Sequence, residues 1–182
     1  MKRKADTVTD SMRQRLQTNR DGRIATDQWL DLVTEPLVTL LLLLTPAILI
    51  LGPRFRFFLT LPLPIIVVLA LAALLVPLLL RARRYARAPI HFDVLYAEDN
   101  PRPPWRFWRP QAFEMKDGGT VRFYKRLAPF MYFRPGYPYL VYYLEDGGGY
   151  VLLSVAPADH ADAEKWYPSK FFELRRSRRI AR

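Results

Sequence analysis

PLVTLLLLLTPAILILG, from Pro36 to Gly52, and FFLTLPLPIIVVLALAALLVPLLL, from Phe57 to Leu80, are long apolar runs without a charge. At 17 and 24 residues they would reach about 25 and 36 Å as helices, against a hydrocarbon core of roughly 30 Å. Only Pro53 to Arg56 separate them, so they read as an antiparallel two-helix transmembrane hairpin. The rest of the chain is too short to bury two such helices. Arg54 and Arg56 lie in the outer turn, and more Arg and Lys flank the other ends. The positive-inside rule then puts both termini in the cytoplasm of a two-span protein of the cell membrane. An excess of Arg (22) over Lys (6) fits a GC-rich prokaryotic genome.

Outside the hairpin, charge defines the segments. Of 28 basic and 17 acidic residues, 7 and 6 fall in 1–36, and 10 and 11 in 91–174. The surplus sits at Arg81, Arg83, Arg84 and Arg87, and at Arg175, Arg176, Arg178, Arg179 and Arg182. The expected organisation is a polar N-terminal tail with short helices (1–35) and the hairpin (36–52 and 57–80). A basic, Pro- and Trp-rich juxtamembrane segment (81–110), a small β domain (111–174, with 89 as an alternative start) and an Arg-rich tail (175–182) follow. A near-neutral domain argues against nucleic acid as its partner. Cations beside the apolar runs suit anionic lipid head groups.

In the N-terminal segment a helix is expected around Ser11 to Gln17. The stretch QTNRDGRIATDQ after it resembles an EF-hand calcium loop at Asn19, Asp21, Gly22 and Ile24. The resemblance covers about 12 residues and departs from the pattern at Gln17 and Gln28, which stand where the first and last carboxylates belong. The residues read instead as a helix–turn–helix, with Asp21-Gly22 as the turn and Thr26 capping the next helix. Trp29 would follow as an interfacial anchor.

From residue 89 onward Val, Tyr and Phe replace Leu and Ala. IHFDVLY (Ile90 to Tyr96), FEMK (Phe113 to Lys116), TVRFYKRL (Thr120 to Leu127), YLVYYLE (Tyr139 to Glu145) and YVLLSV (Tyr150 to Val155) read as strands. Turns are expected at Asp117 to Gly119 and Asp146 to Gly149, and ADHADAEKW (Ala158 to Trp166) reads as a short helix. The expected fold class is an α+β membrane protein, a transmembrane hairpin followed by a small antiparallel sheet or barrel-like domain.

Two stretches are candidate surfaces. PRPPWRFWRP (Pro101 to Pro110) interleaves Arg with Trp105, Phe107 and Trp108. With Trp29, Arg106 and the two Arg clusters, Trp105 and Trp108 would contact a membrane surface. Phe130, Tyr132, Phe133 and Tyr137 would form a partner-binding loop, unless these rings fill the core. Chemistry is sparse: Cys is absent, His91 and His160 are the two histidines, and neither a phosphate loop nor a nucleophile elbow is present. No cofactor or metal is expected, and catalysis is left open without named residues. Two ion-free spans make a poor transporter, while prolines inside them favour protein neighbours. The expected function is therefore a non-catalytic, membrane-anchored accessory, assembly or adaptor subunit, whose partners are the anionic bilayer and other membrane subunits. The alternative is a tethered enzyme or small-ligand sensor with a pocket lined by Tyr132, Tyr137, Tyr142 and Tyr143.

Overall fold

The computed structural model describes residues 8–34, 63–98, 111–129, 131 and 133–180. The chain divides into two compact units, residues 1–28 with 87–182, and residues 29–86.

The larger unit is built on five strands: β1 (Ile90–Ala97), β2 (Gln111–Glu114), β3 (Thr120–Arg126), β4 (Pro138–Asp146) and β5 (Gly149–Pro157). They close into a barrel in the order β1-β2-β3-β5-β4. Strands β1 to β3 form a meander and β4 returns beside β1, which is a Greek key. Strand β5 closes it, antiparallel to β4 and parallel to β3. The expectation of an all-antiparallel arrangement therefore fails at one seam. Eleven residues separate β3 from β4, enough chain to cross the barrel and let β5 enter beside β3 in the same direction.

Local chemistry sets the corners. Asp146 pairs with Gly149 across a two-residue turn in which Gly147 (φ 58°) and Gly148 (φ 88°) both take positive φ. That is the primed geometry that suits the twist of a hairpin. β3 alternates cleanly, with Val121 and Phe123 buried between exposed Thr120, Arg122 and Tyr124. In β4, Tyr139 to Leu144 are all buried, so both faces of that strand are covered. The barrel covers one face and helices cover the other.

The covering helices come from opposite ends of the chain. α1 (Asp10–Asn19) starts at Thr9, whose Oγ1 accepts from the Met12 amide at 3.3 Å, and it buries Met12, Leu16 and Asn19. A turn at residues 20–22 leads to a helix, α2, described over 26–34. At the other end, turns over 158–162 and a 3-10 helix (Ala163–Trp166) stand where a short helix was expected. They lead into α4 (Lys170–Ile180), which takes up most of the Arg-rich stretch. The Ser169 amide donates to Arg20 O at 2.9 Å, Arg20 Nη1 to Lys165 O at 2.5 Å, and Arg175 Nη1 to Asp21 O.

Gly22 makes that meeting possible. Its φ is +71°, and a Cβ there would lie 3.3 Å from Cβ of Arg175. Gly22→Ala should cost about 1–2 kcal/mol, from the left-handed backbone and the crowding together. A urea midpoint equal to that of the unaltered protein would show that the turn relaxes freely.

In the smaller unit, α3 (Leu63–Arg87) is the long helix, with Pro77 inside it. Here the sequence reading is corrected. Among the described residues no helix is long and apolar enough to cross a membrane. The transmembrane hairpin, the two-span cell-membrane location with cytoplasmic termini and the membrane-protein fold class therefore fall. The physical reason lies in what α3 carries. Its charge-free part ends at Leu80, well before the helix does. Four arginines follow in its last seven residues. The expected first span, 36–52, lies outside the described residues. What is described is an α+β chain: a closed five-stranded barrel with helices.

Candidate functional site

The barrel interior is filled by rings in edge-to-face contact. Phe113 sits between Phe123 (centroids 5.6 Å apart), Phe133 (5.1 Å) and Tyr139 (6.3 Å). Phe123 meets Tyr143 at 5.6 Å, and Tyr143 meets Tyr150 at 5.3 Å. Such offset geometry is the favoured one for aromatic pairs. Phe133, expected on a partner-binding loop, is thus part of the core, with the Arg126 guanidinium 5.1 Å above its ring. Tyr137 is half-buried; its hydroxyl donates to Asp159, and Arg134 lies 5.3 Å from its ring. Phe130 and Tyr132 lie outside the described residues.

Among the described residues the expected four-tyrosine pocket is not brought together. Tyr142 and Tyr143 face different surroundings. Tyr142 donates to Trp166 O at 2.7 Å beneath Phe172, and Tyr143 donates to Asp93 Oδ2 at 2.7 Å inside the barrel. Burial pushes both hydroxyls well above the ordinary tyrosine range, and for Tyr143 the bond to Asp93 adds to it.

One end of the barrel is polar. His91 stacks on Tyr143 (5.2 Å), its Nε2 lies 3.9 Å from Glu145 Oε2, and that nitrogen is buried without a hydrogen-bond partner. Burial, and then the positive charge of Arg176, hold the imidazole below its usual value. Folded His91 therefore binds protons less readily than unfolded His91. Its contribution to stability is present above pH 6.5, the ordinary value, and is lost as pH falls through the folded value. The buried tyrosines work at the other end: their contribution is complete below about pH 10 and is lost as pH rises beyond it. The urea midpoint should fall on both sides of a plateau, and His91→Phe should flatten the slope just below pH 6.5 while leaving the alkaline limb. An unchanged acid slope in that variant would show that other groups set it. Asp162, kept below the usual carboxylate range by its bond to Lys165, acts only at lower pH.

A buried polar network joins α1 and α2 to the barrel. Asn19 Nδ2 donates to Arg23 O (2.8 Å) and Gln28 Oε1 (3.0 Å). Gln28 Oε1 also accepts from the Ala25 amide (3.0 Å), and Nε2 donates to Leu153 O (2.8 Å). Ser154 Oγ donates to Asn19 Oδ1 at 2.8 Å. In the stretch that resembles a calcium loop, the side chains of Asn19 and Gln28 thus bind one another and the backbone. Among the described residues no group of three or more His, Cys, Asp or Glu could hold a metal. Sequence reasoning missed this network. The available signal was the four-residue spacing of Gln28 and Leu32, both buried on one face of α2.

Of the residues assigned to a membrane surface, Trp29 is half-buried on α2, Arg81 is half-buried, and Arg83, Arg84 and Arg87 are exposed. Trp105, Arg106 and Trp108 lie outside the described residues. Arg175, Arg176, Arg178 and Arg179 sit on α4. Arg175 binds Asp21 O, and Arg179 Nη1 binds Ala88 O at 2.9 Å, where burial lowers its proton affinity. Arg176 faces His91, and Arg178 is exposed. The segment expected as an Arg-rich tail on a membrane surface is thus largely a helix, held to the domain by Arg175 and Arg179. Its Phe172 is buried, while Phe171 (60% exposed) and Leu174 (50%) point outward.

No protein-family model, curated protein or solved structure matches this chain.

Proposed function

We propose that this protein is a non-catalytic adaptor or accessory subunit, in which the barrel is a rigid scaffold and the partner is another protein. The observation that carries the reading is the state of the barrel interior. Rings occupy it, and the hydroxyls of Tyr142 and Tyr143 are bonded within the chain. Activity then resides on the outside, where binding surfaces carried by a stiff frame lose little entropy on association. Five-stranded Greek-key barrels include oligonucleotide binders, but a fold does not carry its function with it. The balance of 10 basic and 11 acidic residues over 91–174 gives nucleic acid little to hold.

The test is affinity purification of the tagged full chain from its own cells, with quantitative mass spectrometry. A protein recovered at a fixed ratio to the chain, and lost when the barrel is unfolded by a core substitution, is the expected result. A chain that purifies alone, and is stabilised against heat by a metabolite, would overturn the reading in favour of a ligand sensor.

A further inference from the structure

We propose that the outer face of α4 is the docking surface for an acidic, amphipathic segment of the partner protein; this rests on the adaptor reading and names its partner chemistry. Phe171 and Leu174, three residues apart on α4, are 60% and 50% exposed, and Tyr167, in the bend before the helix, is 44% exposed. Phe171, Leu174 and exposed Arg178 lie on one helical stripe, with exposed Lys170 beside them. A helix that only needed to cover the barrel would bury its apolar residues and turn polar ones outward. Here Phe172 is buried while its neighbour Phe171 is not.

The helix is also held in place. Arg175 and Arg179 bond inward to Asp21 O and Ala88 O, the Ser169 amide bonds to Arg20 O, and Arg175 lies 5.9 Å from the Phe171 ring. The exposed stripe is therefore preformed, and binding does not have to order it.

Charge selects the occupant. On its outward side α4 carries Lys170 and Arg178 against Glu173, with the half-buried Arg175, Arg176 and Arg179 adding positive charge beneath, so a second copy would bring like charges together. Polyphosphate or nucleic acid would answer the arginines and leave Phe171 and Leu174 in water. A segment with apolar residues at helical spacing and Asp or Glu around them answers both.

The experiment uses the full chain and a fluorescent helical peptide of about 15 residues, with Leu at three- and four-residue spacing and Glu elsewhere, read by anisotropy. A scrambled peptide of the same composition and vesicles of phosphatidylglycerol and phosphatidylcholine serve as comparisons. The patterned peptide should bind about tenfold or more tightly than the scrambled one. Phe171→Glu with Leu174→Glu should weaken it by about tenfold or more. Both sites are exposed, and acidic residues suit the start of a helix; a thermal melt checks folding. Arg178→Glu, a single exposed change, should weaken binding and flatten its salt dependence. Equal binding of the two peptides, or equal binding by the variants, overturns the proposal. So does recruitment to vesicles through Phe171 and Leu174 without peptide binding. Repeating the purification with the double variant separates the two claims. Partners retained by that variant sink the α4 surface and leave the adaptor standing, whereas a wild-type chain that purifies alone sinks the adaptor reading whatever the peptide does.

Discussion

Phe113→Ala should destabilise the barrel by about 3–5 kcal/mol, the range for deleting a fully buried ring. Phe113 is fully buried, and it is the ring that Phe123, Phe133 and Tyr139 all contact. It lies on β2, which is four residues long and so has little ladder to hold it. Removing the ring leaves three edge-to-face contacts without their centre. The surrounding strands belong to a closed barrel and cannot collapse into the space without breaking register. The thermal midpoint should fall by roughly 10–20 °C for a unit of this size, with the circular dichroism of the folded baseline retained. Phe113→Leu, which keeps most of the volume, should recover more than half of the loss. A drop below about 1 kcal/mol for the alanine variant would mean that the rings repack and that the interior is less tightly determined than its contacts imply.

Gln28→Ala should cost about 3 kcal/mol for a different reason. The side chain does not fill space in an apolar core; it satisfies polar groups that have no access to water. Its loss leaves the Ala25 amide, Leu153 O and one side of the Asn19 amide without their bonds, and each stranded buried group costs about 1–3 kcal/mol, with partial relief where water enters. Gln28→Glu tests the same site without a cavity. It keeps the shape but puts an acceptor opposite Leu153 O and buries a charge, so it should be at least as damaging near neutral pH and should recover as the pH is lowered. Urea unfolding at two pH values reads both variants. If Gln28→Ala behaved as an ordinary surface change, within about 0.5 kcal/mol, α1 and α2 would be ornaments on the barrel rather than part of its fold.

The contrast between the two sites also shows what could be read from the chain alone. Strands β1, β3, β4 and β5 were legible because β-branched and aromatic residues run between turn signals, and Gly147-Gly148 announced its hairpin. The unbroken apolar runs in Tyr139 to Leu144 and Val151 to Leu153 carried a further message, that both faces of these strands are covered. A barrel was one of two arrangements expected from the strands, but the parallel β3–β5 seam that closes it was not legible, because pairing between distant strands leaves no local trace. β2 was placed two residues late, at Phe113 to Lys116 rather than Gln111–Glu114, since a four-residue strand has no periodicity to measure. The membrane reading took residues 57–80 as one block of hydropathy, whereas the described helix, Leu63–Arg87, runs on past the apolar residues and ends in arginines. Asn19, Gln28 and Ser154 looked like ordinary polar residues because their partners are up to 135 positions away. Phe171 and Leu174 were hidden by the Arg cluster behind them, which made a structured helix look like a tail for a membrane surface.

The clasp between the two ends of the chain has a consequence for how the protein is made. Gln28 waits for Leu153, 125 positions later, and Asp21 for Arg175, 154 positions later. At synthesis rates of 5–20 residues per second, α1 emerges from the ribosome roughly 6–30 s before its partners exist. Through that interval Met12 and Leu16 have no barrel to lie against, and a helix translated early is among the last elements to find its place.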